Sequence, residues 1–221
     1  MVFGLITLSA MTPTMIGLNQ ATQNTRDGEE ERREAARRQR CNLLATCDAR
    51  EGTLEQRKQV HNAKVYLGPD GNLYLSKGAP PGFFPFNGRF FQHPHFAPDN
   101  MAGFVTLTGE EPPMLRWVFV DSETHECRWG GRQDSEGHVC GPYDWSKDEQ
   151  RITLQGWEGW LAVRRPGDEQ REQEDRGLGI AAADDEQAIW RLYFDEHDDG
   201  ADLPQDAQAL EICLQRVPAD S

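Results

Sequence analysis

Apolar residues along the chain fall in short runs that are separated by turn-forming residues, a pattern typical of antiparallel β-strands. The runs at residues 64–67 and 72–75 flank a Gly-Pro-Asp-Gly sequence, whose proline and Asp-Gly pair suit a tight turn. The run at 115–120 precedes a cluster of turn-forming residues and a returning segment at 127–129. The pattern therefore predicts two β-hairpins in this part of the chain.

Further strand-like runs continue this pattern toward the carboxyl end. Residues 151–155 and 159–164 flank a short Gly-Trp-Glu sequence and are predicted to pair with each other. Other strands are predicted at 103–108, 188–195 and 210–217, and no strong crossover helix lies between them. Short strands at hairpin spacing favour a mainly β fold, either an antiparallel β-sandwich or a partly closed β-barrel.

The amino-terminal part of the chain does not continue the strand pattern. Residues 1–18 are apolar, but they lack the basic start of a signal peptide and contain too many polar residues for a spanning helix. A strand, a short helix or a partner-docking segment is the main interpretation, with secretion or membrane association as alternatives. Residues 20–40 place Glu and Arg at i,i+4 spacing, which favours an exposed helix. We expect a helical N-terminal extension over residues 1–50 and an antiparallel β domain over 51–221.

The chain carries a formal net charge of −14 at pH 7. This acidic balance disfavours nucleic acids as partners, because a surface that binds phosphates needs a local excess of Lys and Arg. A polar, acidic segment near residues 166–186 is predicted to be a solvated loop of the β domain. The five cysteines are an odd number, which favours free thiols in a cytoplasmic protein over a secreted disulfide scaffold.

Two His-x-Cys pairs are the most specific arrangement of metal-ligand types in the sequence. They are His125 with Cys127 and His138 with Cys140. Residues two apart on a strand point to the same face, so the two pairs are a candidate tetrahedral zinc site. The chain lacks the tight Cys-x-x-Cys knuckle, however, and ordinary cysteines and histidines are the main interpretation. No cofactor is expected.

Five of the six tryptophans lie in the middle of the chain. Trp145, Trp157 and Trp160 stand beside predicted turns, with Asp144 and Glu158 next to them. Aromatic rings beside carboxylates suit a sugar-binding rim, because the rings stack and the carboxylates accept hydrogen bonds. These five residues are the candidate ligand site, and packing of the rings in the core is the alternative interpretation.

The sequence contains no recognisable catalytic motif. A Gly-x-Ser-x-Gly elbow, a P-loop and a Gly-x-Gly-x-x-Gly fingerprint after a strand are all missing. We therefore interpret the chain as a non-catalytic binding or scaffolding protein, whose partner is another protein or a small ligand. The alternative is a carbohydrate-binding module, or a glycoside-active enzyme, that uses the tryptophan-rich rim.

Several segments of the chain resemble one protein family. Residues 141–149 (GPYDWSKDE) and 154–160 (LQGWEGW) are similar to a family of uncharacterised proteins from filamentous ascomycete fungi. Residues 1–8 and 115–121 are similar to the same family, and the Gly-Pro-aromatic-Asp-Trp motif is the most specific part. The resemblance implies a fungal protein. It implies no catalytic or binding residue, because no activity is established for the family.

Overall fold

The computed structural model describes residues 12–93, 102–109, 112–168 and 188–219. The chain divides into two compact units, one that ends at Gln39 and one that begins at Arg40. Most of the predicted acidic loop and the first part of the apolar amino terminus lie outside the described residues. The second unit begins at Arg40, whereas the sequence predicted a boundary at residue 51.

The described part of the first unit contains one helix, α1 (Thr12–Arg38). Its last turn carries Arg37 and Arg38, and cations at this end interact favourably with the helix dipole. Arg38 also pairs with Glu34 one turn earlier, with 3.4 Å between the guanidinium nitrogen and the carboxylate oxygen. No helix in the described ranges is both long and apolar enough to span a membrane.

The second unit is mainly β, as the strand pattern predicted. Its elements in chain order are β1 (Cys41–Thr46), α2 (Leu54–Val60), β2 (Lys64–Leu67), β3 (Leu73–Ser76), β4 (Phe84–Pro85), β5 (Gly88–Phe91), β6 (Gly103–Leu107), β7 (Leu115–Val120), β8 (Cys127–Gly130), β9 (Tyr143–Trp145), β10 (Ile152–Leu154), β11 (Trp160–Arg164), β12 (Trp190–Phe194) and β13 (Gln208–Pro218).

Six of these strands form a closed ring. In order around the ring, β1 pairs with β5, β5 with β6, β9 with β10, and β13 with β1. Shorter contacts make the remaining two joints. The Tyr143 N–H donates to the Ala102 oxygen at 2.6 Å, and beside β10 Arg151 bridges Gln215 while the Arg216 N–H donates to the Gln150 oxygen at 2.7 Å. The result is a closed barrel rather than a sandwich, and ring closure leaves its strands without free edges.

Three hairpins lie between barrel strands in chain order. They are β2–β3, β7–β8 and β11–β12. The hairpins also contact one another, through pairing of β3 with β12 and through the bridges Asn72–Arg128 and Glu126–Tyr193. The chain therefore runs three times through the same order of barrel strand, hairpin and barrel strand. The sequence showed no such repeat.

A buried ionic cluster ties two of these hairpins together. Glu126, just before β8, accepts a hydrogen bond from the Tyr193 hydroxyl at 2.9 Å. The same carboxylate pairs with Arg191 at 3.2 Å and with Arg165 at 3.3 Å. Because the carboxylate is buried, these donors replace the water that it loses on folding.

The pairing of the predicted strands is partly right and partly wrong. The hairpins predicted at 64–75 and 115–129 are confirmed. The predicted pairing of 151–155 with 159–164 is wrong, because β10 pairs with β9 and β11 with β12. Between β10 and β11 the chain leaves the barrel for a hairpin, so the short Gly-Trp-Glu turn connects two layers of the fold and not two neighbours in a sheet.

Candidate functional site

A cavity of about 350 Å³ opens between four segments of the β unit. Its lining comes from the loop after β1 (46–51), the turn and start of β11 (157–161), the segment after β12 (195–198) and the middle of β13 (211–213). Two of these segments are loops that follow strands, where side chains are available for binding. We call this space the Trp157 cavity.

Trp157 is the exposed aromatic side chain of the cavity, with 37 % of its surface accessible. Its turn contains Gly156 at a φ of 87°, and backbone hydrogen bonds of 3.0 and 3.1 Å join Leu154 and Trp157 in both directions. The indole meets the Phe194 ring edge-on at 6.4 Å. A Cβ atom at Gly159 would overlap the indole, so that glycine leaves the space in which the ring lies. The backbone therefore fixes where the indole sits.

Acidic side chains dominate the lining of the Trp157 cavity. The only cationic side chain among the lining residues is Arg50. Glu158 is partly neutralised, since its carboxylate forms an ion pair with Arg151 at 3.2 Å. The six lining carboxylates are Asp48, Glu51, Glu158, Asp195, Asp198 and Glu211. A concave site lined by one sign of charge concentrates ligands of the opposite sign.

Asp195 has a structural role at the wall of the cavity. Burial alone would raise the pKa of its carboxyl group. Backbone N–H groups of Gly200, Asp199 and His197 donate to the carboxylate at 2.7, 3.2 and 3.3 Å, and they hold its pKa below the ordinary value. The carboxylate thereby stays ionised and shapes the turn after β12.

Trp145 and Trp160 are core residues, with 5 % and 3 % of their surfaces exposed. The Trp160 indole N–H donates to the Ile152 oxygen at 2.8 Å, which satisfies its only donor. The Trp145 ring lies beneath the Arg216 guanidinium, 4.5 Å from it. For these two tryptophans the core interpretation applies.

The Trp157 cavity brings together three of the five residues predicted to bind a ligand. Trp157 and Glu158 line it, and the buried Trp160 forms part of its wall. Trp145 and Asp144 do not line it; the Asp144 carboxylate instead accepts the Trp145 backbone N–H at 2.8 Å. A rim of several exposed tryptophans is therefore not formed, and one exposed indole remains.

Six charged lining residues were missed by sequence reasoning: Asp48, Arg50, Glu51, Asp195, Asp198 and Glu211. They are far from Trp157 along the chain, and they reach the cavity only because β1, β12 and β13 meet there. Asp195 ends a predicted strand and Asp198 follows it, which is the one local signal that the sequence offered.

The four candidate zinc ligands are not assembled in the structure. Cys127 is buried on β8, where burial raises the pKa of its thiol, and Cys140 donates its thiol to a backbone oxygen at 3.1 Å. His138 accepts a backbone N–H at 3.2 Å, and His125 lies in a turn with a φ of 59°, before the strand begins. The same-face argument for strands therefore does not apply. Within the described part of the chain, no three His, Cys, Asp or Glu side chains are grouped to hold a metal.

A second cavity, of about 640 Å³, is lined by His93, Trp117, Arg132 and His138 among others. Its aromatic rings are engaged with neighbouring rings, because His93 packs on Trp117 at 4.6 Å and His138 stacks on Phe119 at 5.3 Å. Trp157, in contrast, has one aromatic ring contact within the described ranges and is exposed. The Trp157 cavity is the stronger candidate for a ligand site.

The comparisons with known proteins agree with this architecture. Residues 17–220 match the family described as Fungal beta-trefoil domain. Comparison with curated proteins and with solved structures gives no match. The closed barrel of six strands is consistent with a β-trefoil, and a fungal family agrees with the resemblance seen in the sequence. Because the match covers most of the chain, this protein belongs to the fungal β-trefoil domain family.

Proposed function

We propose that this protein is a non-catalytic binding module and that the Trp157 cavity is its ligand site. The observation that carries the proposal is the exposed indole of Trp157, fixed by its turn and by Gly159 at the edge of a cavity. An aromatic ring held in place in this way loses little entropy on binding. A cavity with a few polar groups around an aromatic wall is typical of a small-ligand site.

The ligand class that best suits this lining is a saccharide. The β-trefoil fold often binds ligands, carbohydrates among them, but a fold by itself does not establish a ligand. The residues add the argument, because the indole of Trp157 offers a flat surface for a sugar ring. The carboxylates of Glu211 and Asp198 offer acceptors for its hydroxyl groups.

Three carboxyl groups with shifted pKa values act as hydrogen-bond acceptors and do not have the property of a general acid. A hydrolase needs a general acid whose pKa is raised, so that it is protonated at neutral pH. Asp121, Asp148 and Asp195 have shifted pKa values, and all three are lowered by hydrogen-bond donors. Among the described carboxyl groups, every shift therefore favours the ionised form.

Substitution of Trp157 tests the proposed site. We expect a screen over immobilised oligosaccharides to identify a ligand, and calorimetry to show at least a roughly tenfold weaker affinity in the Trp157→Ala protein. Trp157→Phe keeps an aromatic face and is the matched control, which should retain most of the affinity. Circular dichroism of both variants checks the fold. Unchanged affinity in Trp157→Ala would refute the site.

A further inference from the structure

Three carboxylates of the Trp157 cavity have no ion pair or hydrogen bond among the described residues: those of Glu51, Asp198 and Glu211. Glu158, in contrast, pairs with Arg151, Asp195 accepts three backbone N–H groups, and Asp48 accepts the Arg50 backbone N–H at 3.0 Å. The fold uses these other three carboxylates for its own structure. The first three keep their acceptor capacity for a group that enters the cavity.

The indole of Trp157 lines the same space as these three carboxylates. Tryptophan is the aromatic side chain that best attracts a cation over its face, and the attraction grows when the cation is partly desolvated. An ammonium group with a carboxylate also forms charge-assisted hydrogen bonds, which are about twice as strong as neutral ones. The indole and the carboxylates therefore favour the same ligand charge.

We propose that the Trp157 cavity selects a saccharide that carries a protonated primary amine, that is, an amino sugar with a free amino group. This rests on the proposed saccharide function and gives that site its charge preference. The sugar ring stacks on Trp157, and the ammonium group donates to the carboxylates of Glu211 and Asp198.

Other ligands use the lining less fully. A neutral sugar would remove water from the carboxylates and return hydrogen bonds from uncharged hydroxyl groups, without the attraction between opposite charges that an ammonium group adds. A bare metal ion lacks a ligand set, since the described residues contain no group of three or more acidic, His or Cys side chains suited to one. A simple amine would leave most of the cavity of about 350 Å³ empty and would not stack.

Three trisaccharides of the same linkage test the proposal with the full chain: those of glucosamine, N-acetylglucosamine and glucose. They differ in the substituent at one position of each ring, which is a charged ammonium group in the first and an uncharged acetamido or hydroxyl group in the other two. Calorimetry at low salt should show about tenfold tighter binding of the glucosamine trisaccharide than of the other two. The advantage should shrink as salt is added, because exposed charges are screened. It should vanish when the pH is raised above the pKa of the sugar amine.

Charge-neutralising variants locate the effect. Glu211→Gln and Asp198→Asn should each reduce the preference for the glucosamine trisaccharide, whereas Arg50→Gln should increase it by removing the competing cation. Glu123→Gln removes an exposed carboxylate outside the cavity and is the matched control, which should leave the preference unchanged.

The outcomes separate this inference from the proposed function. Equal affinity for the three trisaccharides, together with loss of binding in Trp157→Ala, overturns the charge selectivity and leaves the saccharide site in place. A preference that survives in the Glu51→Gln, Glu211→Gln, Asp198→Asn triple variant overturns the assignment to this cavity. If no saccharide of the immobilised set binds, the proposed saccharide function fails and the amine preference fails with it.

Discussion

The Tyr143 side chain lies in the barrel, with 2 % of its surface exposed, and its ring packs against the Phe104 ring at 5.6 Å. Its hydroxyl group has no hydrogen-bond partner among the described residues, and burial raises the pKa of this group. A buried polar group without a partner loses its hydration and gains nothing in return. This hydroxyl therefore destabilises the fold, whereas the aromatic ring stabilises it.

Removal of that hydroxyl should stabilise the protein. We expect Tyr143→Phe to raise the free energy of unfolding by about 1 kcal/mol, because the ring contacts remain and an unsatisfied group disappears. Tyr193→Phe is the matched control, since that hydroxyl donates to Glu126 and its loss should cost about 1 kcal/mol. Urea denaturation measures both. A loss of stability in Tyr143→Phe equal to that in Tyr193→Phe would contradict the prediction.

Single residues also show where the sequence stops being informative. Trp145, Trp157 and Trp160 all stand beside turns in the sequence, yet only Trp157 is exposed. The difference arises from partners that are distant in the chain, such as Phe194 beside the Trp160 ring at 4.8 Å. The local sequence pattern is similar around the three tryptophans. It therefore could not distinguish a ring that is buried in the core from a ring that is exposed in the cavity.

At the scale of elements, local patterns predicted strands well and their partners less well. The β2–β3 and β7–β8 hairpins follow from short turns between neighbouring runs. The strands β1, β4, β5 and β9 were missed. Asn42 and Thr46 make β1 look less regular, and β4, β5 and β9 are only two to four residues long. The partners of β10 were mispredicted for a different reason. They are set by ring closure, which joins residues far apart in the chain and leaves no local signal.

The turn after β12 makes a prediction about pH. Its Asp195 carboxylate accepts three backbone N–H groups, and its pKa in the folded state is lower than the ordinary value of about 3.9 in an unfolded chain. The stabilising contribution is therefore complete above that ordinary value, and it is lost as the pH falls through the folded-state pKa. We expect the free energy of unfolding to decline as the pH is lowered from about 5.

Asp195→Asn should make this decline shallower, because the amide does not titrate, and should lower stability at pH 7 by about 1 kcal/mol. Asp206→Asn is the matched control, since this aspartate is exposed and takes no part in the turn. Urea denaturation at a series of pH values gives the slopes. Parallel curves for the wild-type and Asp195→Asn proteins would refute the assignment.

At the scale of the whole molecule, β1 closes the barrel. It pairs with β13 over its entire length and touches β5 and β2 on its other edge. Its side chains at Cys41, Leu43 and Ala45 are buried. Removal of this strand would expose an edge of β13 and the apolar interior together. Residues before Arg40, in contrast, belong to a separate compact unit.

Two amino-terminal truncations should therefore differ in stability, although their first residues are close in sequence. A chain that begins at Arg40 should unfold cooperatively, with a Tm within about 4 °C of the full chain, because the closed barrel is intact. A chain that begins at Glu51 lacks β1 and should lose its cooperative transition and bind hydrophobic dyes, as an opened barrel exposes its core. Differential scanning calorimetry and dye fluorescence distinguish the two. Cooperative unfolding of the shorter chain would show that β1 is dispensable and that the barrel is closed by other contacts.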